Sequence, residues 1–532
     1  MLLRLTAISL TLDEDESFLS QKCALRLAVP LEQILSCRIV RKSLDARKKS
    51  SIHYVYTLDV DVAGGALIDF ESAGGSGHIR RIEKVSAMSF PRLKSKLRPV
   101  VVGAGPAGLF AALRMTEYGL APLILERGRP LAERVKDVDS FWKERRLDPE
   151  SNVQFGEGGA GTFSDGKLTT RVDDPRIDYI LQALVDAGAD EEIKYLAKPH
   201  IGTDRLRSVI VSLRRLLIER GCEIRFSTKL SGVETGGGAL GSLVINDEEE
   251  MRADRLVLAI GHSARDTYGM LESAGVEMQA KPFAIGLRVE HPQRLVDKIQ
   301  YGPSCGHDRL PPSEYVLKHT MKEMGRSVYS FCMCPGGMVV NASSEPGRLV
   351  VNGMSLSKRD SLYANSALVV TVRPEDFAPG EPGGPLGGIA FQRRWEEAAF
   401  RAGGGNYSAP AQNLAAFMEG GKGYDLNKSS FLPSIEPVDL KGCLPSFVTD
   451  ALMEALPVFG RKMKGFVSRE ATLIGVETRT SAPVRIMRGE NFQSVSTMGV
   501  YPCGEGAGYA GGIVSSALDG IKVADAIAQE LA

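Results

Sequence analysis

Three glycine clusters, Gly103-Ala-Gly105-Pro106-Ala107-Gly108, Gly156-Glu-Gly158-Gly159-Ala160-Gly161 and Gly506-Ala-Gly508-Tyr-Ala-Gly511, each fit the spacing G-x-G-x-x-G. That spacing lets bare backbone approach a pyrophosphate. Only the first has the flanks a dinucleotide cradle needs. Arg98-Pro-Val-Val-Val precedes it as a short apolar strand, and an amphipathic helix from Leu109 to Gly119 follows. A second strand, Ala121 to Glu126, then ends in a carboxylate 18 residues past Gly108. Glycine permits the tight turn, the close approach of phosphate and the tight packing of helix on sheet. The free N–H groups and dipole of the helix start would hold the diphosphate, and Glu126 would accept the hydroxyls of an adenosine ribose.

The adenosine diphosphate end is common to nicotinamide and flavin dinucleotides, so the other clusters decide between them. The second lies in Asn152 to Leu168 with no good strand before it and no long helix after it. It reads as a loop that can run flat against a large planar ring, with the amides of Gly158, Gly159, Ala160 and Gly161, and with Thr162 and Ser164, facing the ring's polar rim. In the third, Gly504-Glu505-Gly-Ala-Gly508-Tyr-Ala-Gly511-Gly512-Ile513 runs straight into a helix from Ile513 to Ala528, and the sequence ends without a second strand. This segment cannot form a second complete nucleotide unit, but it can bring one more helix N-terminus to the same ligand. The cofactor expected is therefore FAD. A flavin accepts hydride at N5 and gathers negative charge over N1, where the final helix would supply donors. Lys167, Arg288, Glu290, His291, Arg479 and Arg485 are candidates to orient an acidic substrate or move a proton. For each a structural ion pair is the competing reading, and His291, before Pro292 at a turn, reads equally as a surface residue. No catalytic base and no metal ligand set are assigned.

The elements that must position these residues define an α/β chain. Residues 1–90 form a small module of strand, helix and two further strands, for which a ferredoxin-like βαββ arrangement is expected. Residues 97–262 form the first part of a nucleotide domain with a parallel sheet, helices and a β-meander near Glu223 to Asn246. Residues 263–470 form an inserted α+β substrate domain, and 471–532 return to the nucleotide domain. Between the later strands of the first module Arg38, Arg41, Lys42, Arg47, Lys48 and Lys49 face only Asp45. That basic turn is either a solvated or docking face or a recruiter of RNA or a protein partner, and the first reading is favoured because the aromatic signature of an RNA-binding sheet is missing.

Charge excludes little else, since Lys plus Arg and Asp plus Glu are both 65. Nothing in that balance calls for nucleic acid or a membrane as partner. The start lacks a signal-peptide core, and the eight cysteines are too sparse for a disulfide framework, so a cytoplasmic location is expected. Cys332 and Cys334 are read as structural thiols near a pocket in preference to a redox pair.

Val100 to Glu126, Leu256 to Gly261 and Tyr501 to Ile513 resemble the three FAD segments of glutathione-reductase-type flavoproteins. More narrowly, Lys42 to Lys48, Gly156 to Leu168, Phe331-Cys-Met-Cys-Pro-Gly-Gly337, Asn352-Gly-Met-Ser355, Glu477-Thr-Arg-Thr-Ser481 and Tyr501 to Gly512 resemble a family of bacterial FAD-utilising dehydrogenases. The resemblance spans nearly the whole chain. It implies a Rossmann-like FAD-binding domain and a dehydrogenase that takes hydride from a small-molecule substrate or from a transient NAD(P)H. It further implies Arg127 beside the adenine, the backbone of Lys229 and Leu230 at the adenine edge, and Ala259, Ile260 and Gly261 along the diphosphate. Glu505 would reach the ribityl or diphosphate region, and Gly511, Gly512 and Ile513 the pyrimidine rim. The redox C-x-x-x-x-C and the second nicotinamide domain of the disulfide reductases are missing.

Overall fold

The computed structural model describes residues 1–64, 78–82, 90–96, 98–377, 383–420 and 425–532. The expected domain borders near 90 and 97 fall beside residues outside that set. Two compact units form, one from Met1–Ser89, Asp190–His200 and Asp297–Ser313 and the other from the rest of the chain. The first thus takes in two segments that the sequence assigned to later domains.

In the larger unit the run Val100–Val102 is too short and too apolar to present a polar face, so it is buried on both sides at the centre of a parallel sheet. The strand order is Val500–Pro502, Leu256–Leu258, Val100–Val102, Leu123–Leu125, Glu223–Arg225, every pair parallel. Helix Pro106–Glu117 follows the central strand, with its proline in the first turn where no N–H is needed. The terminal helix Ile513–Leu531 lies against it so closely that a Cβ at Gly520 would overlap the carbonyl of Ala107. The protein is therefore a mixed α/β molecule in which the last strand and helix of the chain complete the sheet layer begun at residue 100.

A three-stranded antiparallel meander, Leu230–Gly236, Ala239–Ile245 and Glu249–Arg252, shares one apolar core with the parallel sheet. A larger mixed sheet runs in the order Lys318–Met321, Arg326–Asn341, Tyr363–Val372, Phe283–Pro292, Thr472–Glu477, Ala409–Asn413, Ile435–Pro437, with Val351–Ser355 paired to the long strand. Its central strand Phe283–Pro292 is buried over nearly its whole length. Thr472–Glu477, which the sequence placed in the returning segment, lies inside this sheet between Phe283–Pro292 and Ala409–Asn413.

In the smaller unit the order is Ile34–Asp45, His53–Val62, Leu2–Thr11, Ile79–Arg81, all antiparallel. Helix Leu19–Leu27 covers one face through Leu19, Cys23 and Leu27, which meet Leu3, Leu5, Leu10, Tyr56 and Leu58. The basic turn is partly neutralised: Arg38 pairs with Asp59, Lys42 with Glu16 and Arg47 with Asp45.

Candidate functional site

The first glycine turn is fixed by what surrounds it. Gly103 has φ +104°, and a side chain there would overlap the carbonyl of Ala259 on the neighbouring strand. Glu126 at the end of the next strand is 5% exposed. Its carboxylate accepts N–H groups from Ala104 (2.8 Å), Gly128 (2.9 Å) and Gly156 (2.9 Å). A carboxylate offers about four acceptor directions, so one remains for a ligand. The same residue therefore ties the first glycine turn to the second glycine segment.

That second segment is a loop with a single 3-10 turn, Ala160–Phe163. Arg134 holds it from behind. Its guanidinium, fully buried, donates to the carbonyls of Asn152, Val153, Gly156, Glu157 and Gly159 at 2.7–3.2 Å. Burial lowers its pKa to about 10, still far above neutrality, so the cation persists. With these carbonyls engaged on the Arg134 side, the glycine faces Gly159, Ala160 and Gly161 turn to a cavity.

The cavity has a volume of about 510 Å³. Gly103, Gly105, Pro106, Ala107, Glu126, Arg127, Gly159, Ala160, Gly161, Ser164, Lys229, Leu230, Ala259, Ile260, Gly261, Glu505, Gly511, Gly512 and Ile513 all line it. Four of the sequence candidates stand behind the wall. Gly108 packs on the Gly103 carbonyl, and Gly504 packs on Ala107 with its N–H donated to Asp519 (2.7 Å). Gly158 lies against Ile210, and Thr162 is fully buried with its carbonyl receiving the Thr203 hydroxyl (2.5 Å). At Lys229 both backbone groups are engaged with Asn246. Arg127 stacks 4.1 Å from the Phe155 ring and pairs with Glu150 and Asp266.

Charged side chains line the cavity elsewhere or stand behind its lining. Arg288 is wholly buried and makes two bonds to Glu477 (2.6 and 2.9 Å), with others to Asn365, Asn352 and the carbonyl of Cys332. Glu396 sits between Arg265 (2.7 Å) and Arg479 (2.9 Å), and these cations hold its carboxyl well below the usual range against the opposing effect of burial. Arg479 also donates to Ser263 and Ser344. His262, on the cavity, is driven down to about 3 by burial first and then by Arg479 and Arg265, so its ring is neutral. Glu505 faces the cavity and is pushed up to about 7 by burial, with Lys281 opposing.

Of the six sequence candidates for substrate chemistry, Lys167 and Arg479 line the cavity, and Arg288 supports it through Glu477 and Asn352. Glu290 instead binds Ser430, and Arg485 lies over the Tyr509 ring. His291 is buried at 1% exposure with a ring nitrogen 2.8 Å from the Phe466 carbonyl, so the surface reading fails. The central strand carries it inward. Arg134 was missed, yet it carries a signal: it occupies the apolar stripe Leu131, Arg134, Val138, Phe141 of helix Leu131–Glu144, where a lone cation needs a cage of acceptors. His262, Asn352 and Glu477 were missed as cavity residues because they come together only in space.

A family model described as "FAD-dependent protein, C-terminal domain-like" matches residues 282–480, and a domain of unknown function matches residues 3–61. An uncharacterized protein of Clostridium beijerinckii is 46% identical over 532 residues, covering 100% of this chain and 99% of that protein. The chain belongs to the family of that protein. Among solved structures, the flavin-dependent brominase Bmp2 shares 14% identity over 82% of this chain and 79% of its own, with a TM-score of 0.37. A flavoprotein/dehydrogenase from Cytophaga hutchinsonii shares 12% over 82% and 79%, with a TM-score of 0.35. FAD is the cofactor. The residues fit it: glycine turns with no room for side chains, a carboxylate with one acceptor direction left, and a helix N-terminus all border one cavity.

Proposed function

We propose that this protein is an FAD-dependent oxidoreductase that transfers a hydride between a small-molecule substrate and tightly bound FAD. The observation that carries the reading is the convergence of Gly103, Gly105, Glu126, Gly159, Gly261 and Gly512 on one cavity that Lys167, His262, Asn352 and Arg479 also line. FAD, when bound, supplies the two-electron chemistry. In this reading Glu126 takes the adenosine ribose, and the first helix turn takes the diphosphate. The N-terminus of the last helix stabilises negative charge on the ring by about 0.3–1 kcal/mol. Glu505 lies on the ribityl or diphosphate side.

Lys167 and Asn352 offer donors to an anionic or carbonyl substrate, while the neutral ring of His262 and the carboxylate of Glu477 offer acceptors. We read residues 98–262 and 478–532 as a Rossmann-like FAD domain, 263–477 as the substrate domain, with strand Thr472–Glu477 inside its sheet, and 1–90 as a ferredoxin-like module. Recruitment of RNA through that module gains no support from cations already paired to Asp45, Asp59 and Glu16. The test is anaerobic bleaching of the bound flavin by NADH, NADPH and a panel of metabolites. One compound that bleaches it names the donor; a flavin that none of them reduces, but that dithionite does, contradicts the hydride-transfer reading.

A further inference from the structure

Cys332 and Cys334 lie on the cavity wall among the side chains just described. Cys332 has a φ of +44° in a strand whose register breaks between Phe331 and Cys334 and again before Gly337. The break turns Cys332 out of the ladder and into the cavity, where it is exposed, while Cys334 is buried beside it and points its Sγ at the Cys332 carbonyl, 3.3 Å away. A left-handed conformation at a non-glycine residue is costly enough to require a surrounding structure that holds it. Two cations hold this one: Arg288 donates to the Cys332 carbonyl (3.2 Å) and the Lys167 ammonium to the Met333 carbonyl. Lys167 closes the loop that carries Gly159 to Ser164, so the two cysteines are fastened directly to the glycine loop of the cofactor wall.

Two thiols serving only to fill space would not need two cations at their backbone or a strained turn into a cavity. Nor do they form part of a metal site, since no group of His, Cys, Asp or Glu suited to a metal ion exists among the described residues. The left-handed φ of Cys332 takes the pair out of the regular extended span of a strand, and a disulfide between them requires Cα atoms within roughly 4.4–6.8 Å.

We propose that Cys332 and Cys334 are a dithiol/disulfide couple that exchanges an electron pair with the FAD of this cavity. The proposal rests on the FAD reading above and adds to it the chemical class of one redox partner. In the forward direction each thiol loses its proton, to the flavin or to cavity water, and an S–S bond forms between Cys332 and Cys334. The electron pair released passes to the oxidised flavin. In reverse, the reduced flavin supplies the pair, the S–S bond breaks and both sulfurs take up protons. A substrate disulfide or dithiol reaching the cavity can then exchange with exposed Cys332, while Cys334 resolves the mixed disulfide. Burial pushes the Cys334 thiol up to about 12, with Lys167 and Arg288 opposing, so this sulfur is protonated at rest. Lys167 and Arg288 are positioning residues: they aim the cysteine backbone and favour the thiolate as it forms.

The test is an anaerobic dithionite titration of ferricyanide-oxidised holoprotein, with electrons counted per bound FAD, followed by peptide mapping without reductant. A disulfide adds one two-electron couple to that of the flavin, so wild type takes up about two-fold more electrons per FAD than Cys332→Ser or Cys334→Ser. Mapping finds a Cys332–Cys334 link. Wild type reduced and alkylated before titration gives the same fall as the variants, which covers a variant that does not fold. Equal uptake in wild type and alkylated protein, each holding FAD, overturns the dithiol couple and leaves the cofactor reading standing. A protein that holds no FAD overturns both.

Discussion

The two walls of the cavity are made from different material. The cofactor wall is backbone: glycine turns at 103–107 and 159–161, the strand end at 259–261 and a helix start at 511–513, braced by Glu126 and Arg134. Side chains make up another part of the lining: Glu477, backed by Arg288, Arg479, backed by Glu396 and Arg265, and the two cysteines. A backbone wall fails when a side chain is added. A side-chain wall fails when a partner is taken away. Variants that do one or the other break the comparison at different points.

The largest effect is expected at Gly103, where a valine must overlap the Ala259 carbonyl in a backbone conformation that suits only glycine. Gly103→Val is expected to weaken FAD binding at least about tenfold, some 1.4 kcal/mol, and to yield nearly colourless protein, read as flavin released per chain on denaturation. Elsewhere Glu396→Leu removes one of the two carboxylates that Arg265 and Arg479 share and leaves them only Glu345. Removing one partner from a buried ion pair costs about 3–5 kcal/mol. Urea unfolding of the apoprotein reads that loss, and a change below about 1 kcal/mol would show the network to be solvated.

A subtler contrast lies at Glu505, whose carboxyl is raised from 4.5 to about 7 by burial. Between those values the folded apoprotein holds a proton that the unfolded chain has given up. Stability is therefore expected to fall as pH rises from about 4.5 to 7 and to level off above that. Glu505→Gln should flatten that part of the curve, as checked by thermal unfolding across the range. The smallest effect is expected on the remote basic turn. Arg47→Glu loses only an exposed pair with Asp45 and should leave FAD content per chain and the thermal midpoint unchanged.

The same contrast explains what could be read from sequence. A backbone wall announces itself, because only glycine satisfies the close approaches and because the flanking strand and helix are contiguous with it. Gly103, Gly105 and Glu126 could thus be singled out from spacing, and they line one cavity together with Gly511, Gly512 and Ile513. Gly108, Gly158, Thr162 and Gly504 stand just behind it, since spacing does not distinguish a glycine that meets a ligand from one that meets a neighbouring helix. The side-chain wall had no such signal. Arg288, Asn365 and Glu477 are far apart along the chain and meet only through the sheet order of strands 283–292, 363–372 and 472–477. His291 was misread because its proline suggested a turn, whereas the strand runs through it to Pro292.

The central claim is that front, middle and tail of the chain hold one FAD in one cavity. Titration of apoprotein with FAD, followed by visible flavin absorbance and by quenching of flavin fluorescence, tests it most directly. The account predicts saturation at one FAD per chain, with Gly103→Val and a variant closing the last helix start, Gly512→Val, both losing it. Wild-type protein that stays colourless and takes up no added FAD would contradict the account.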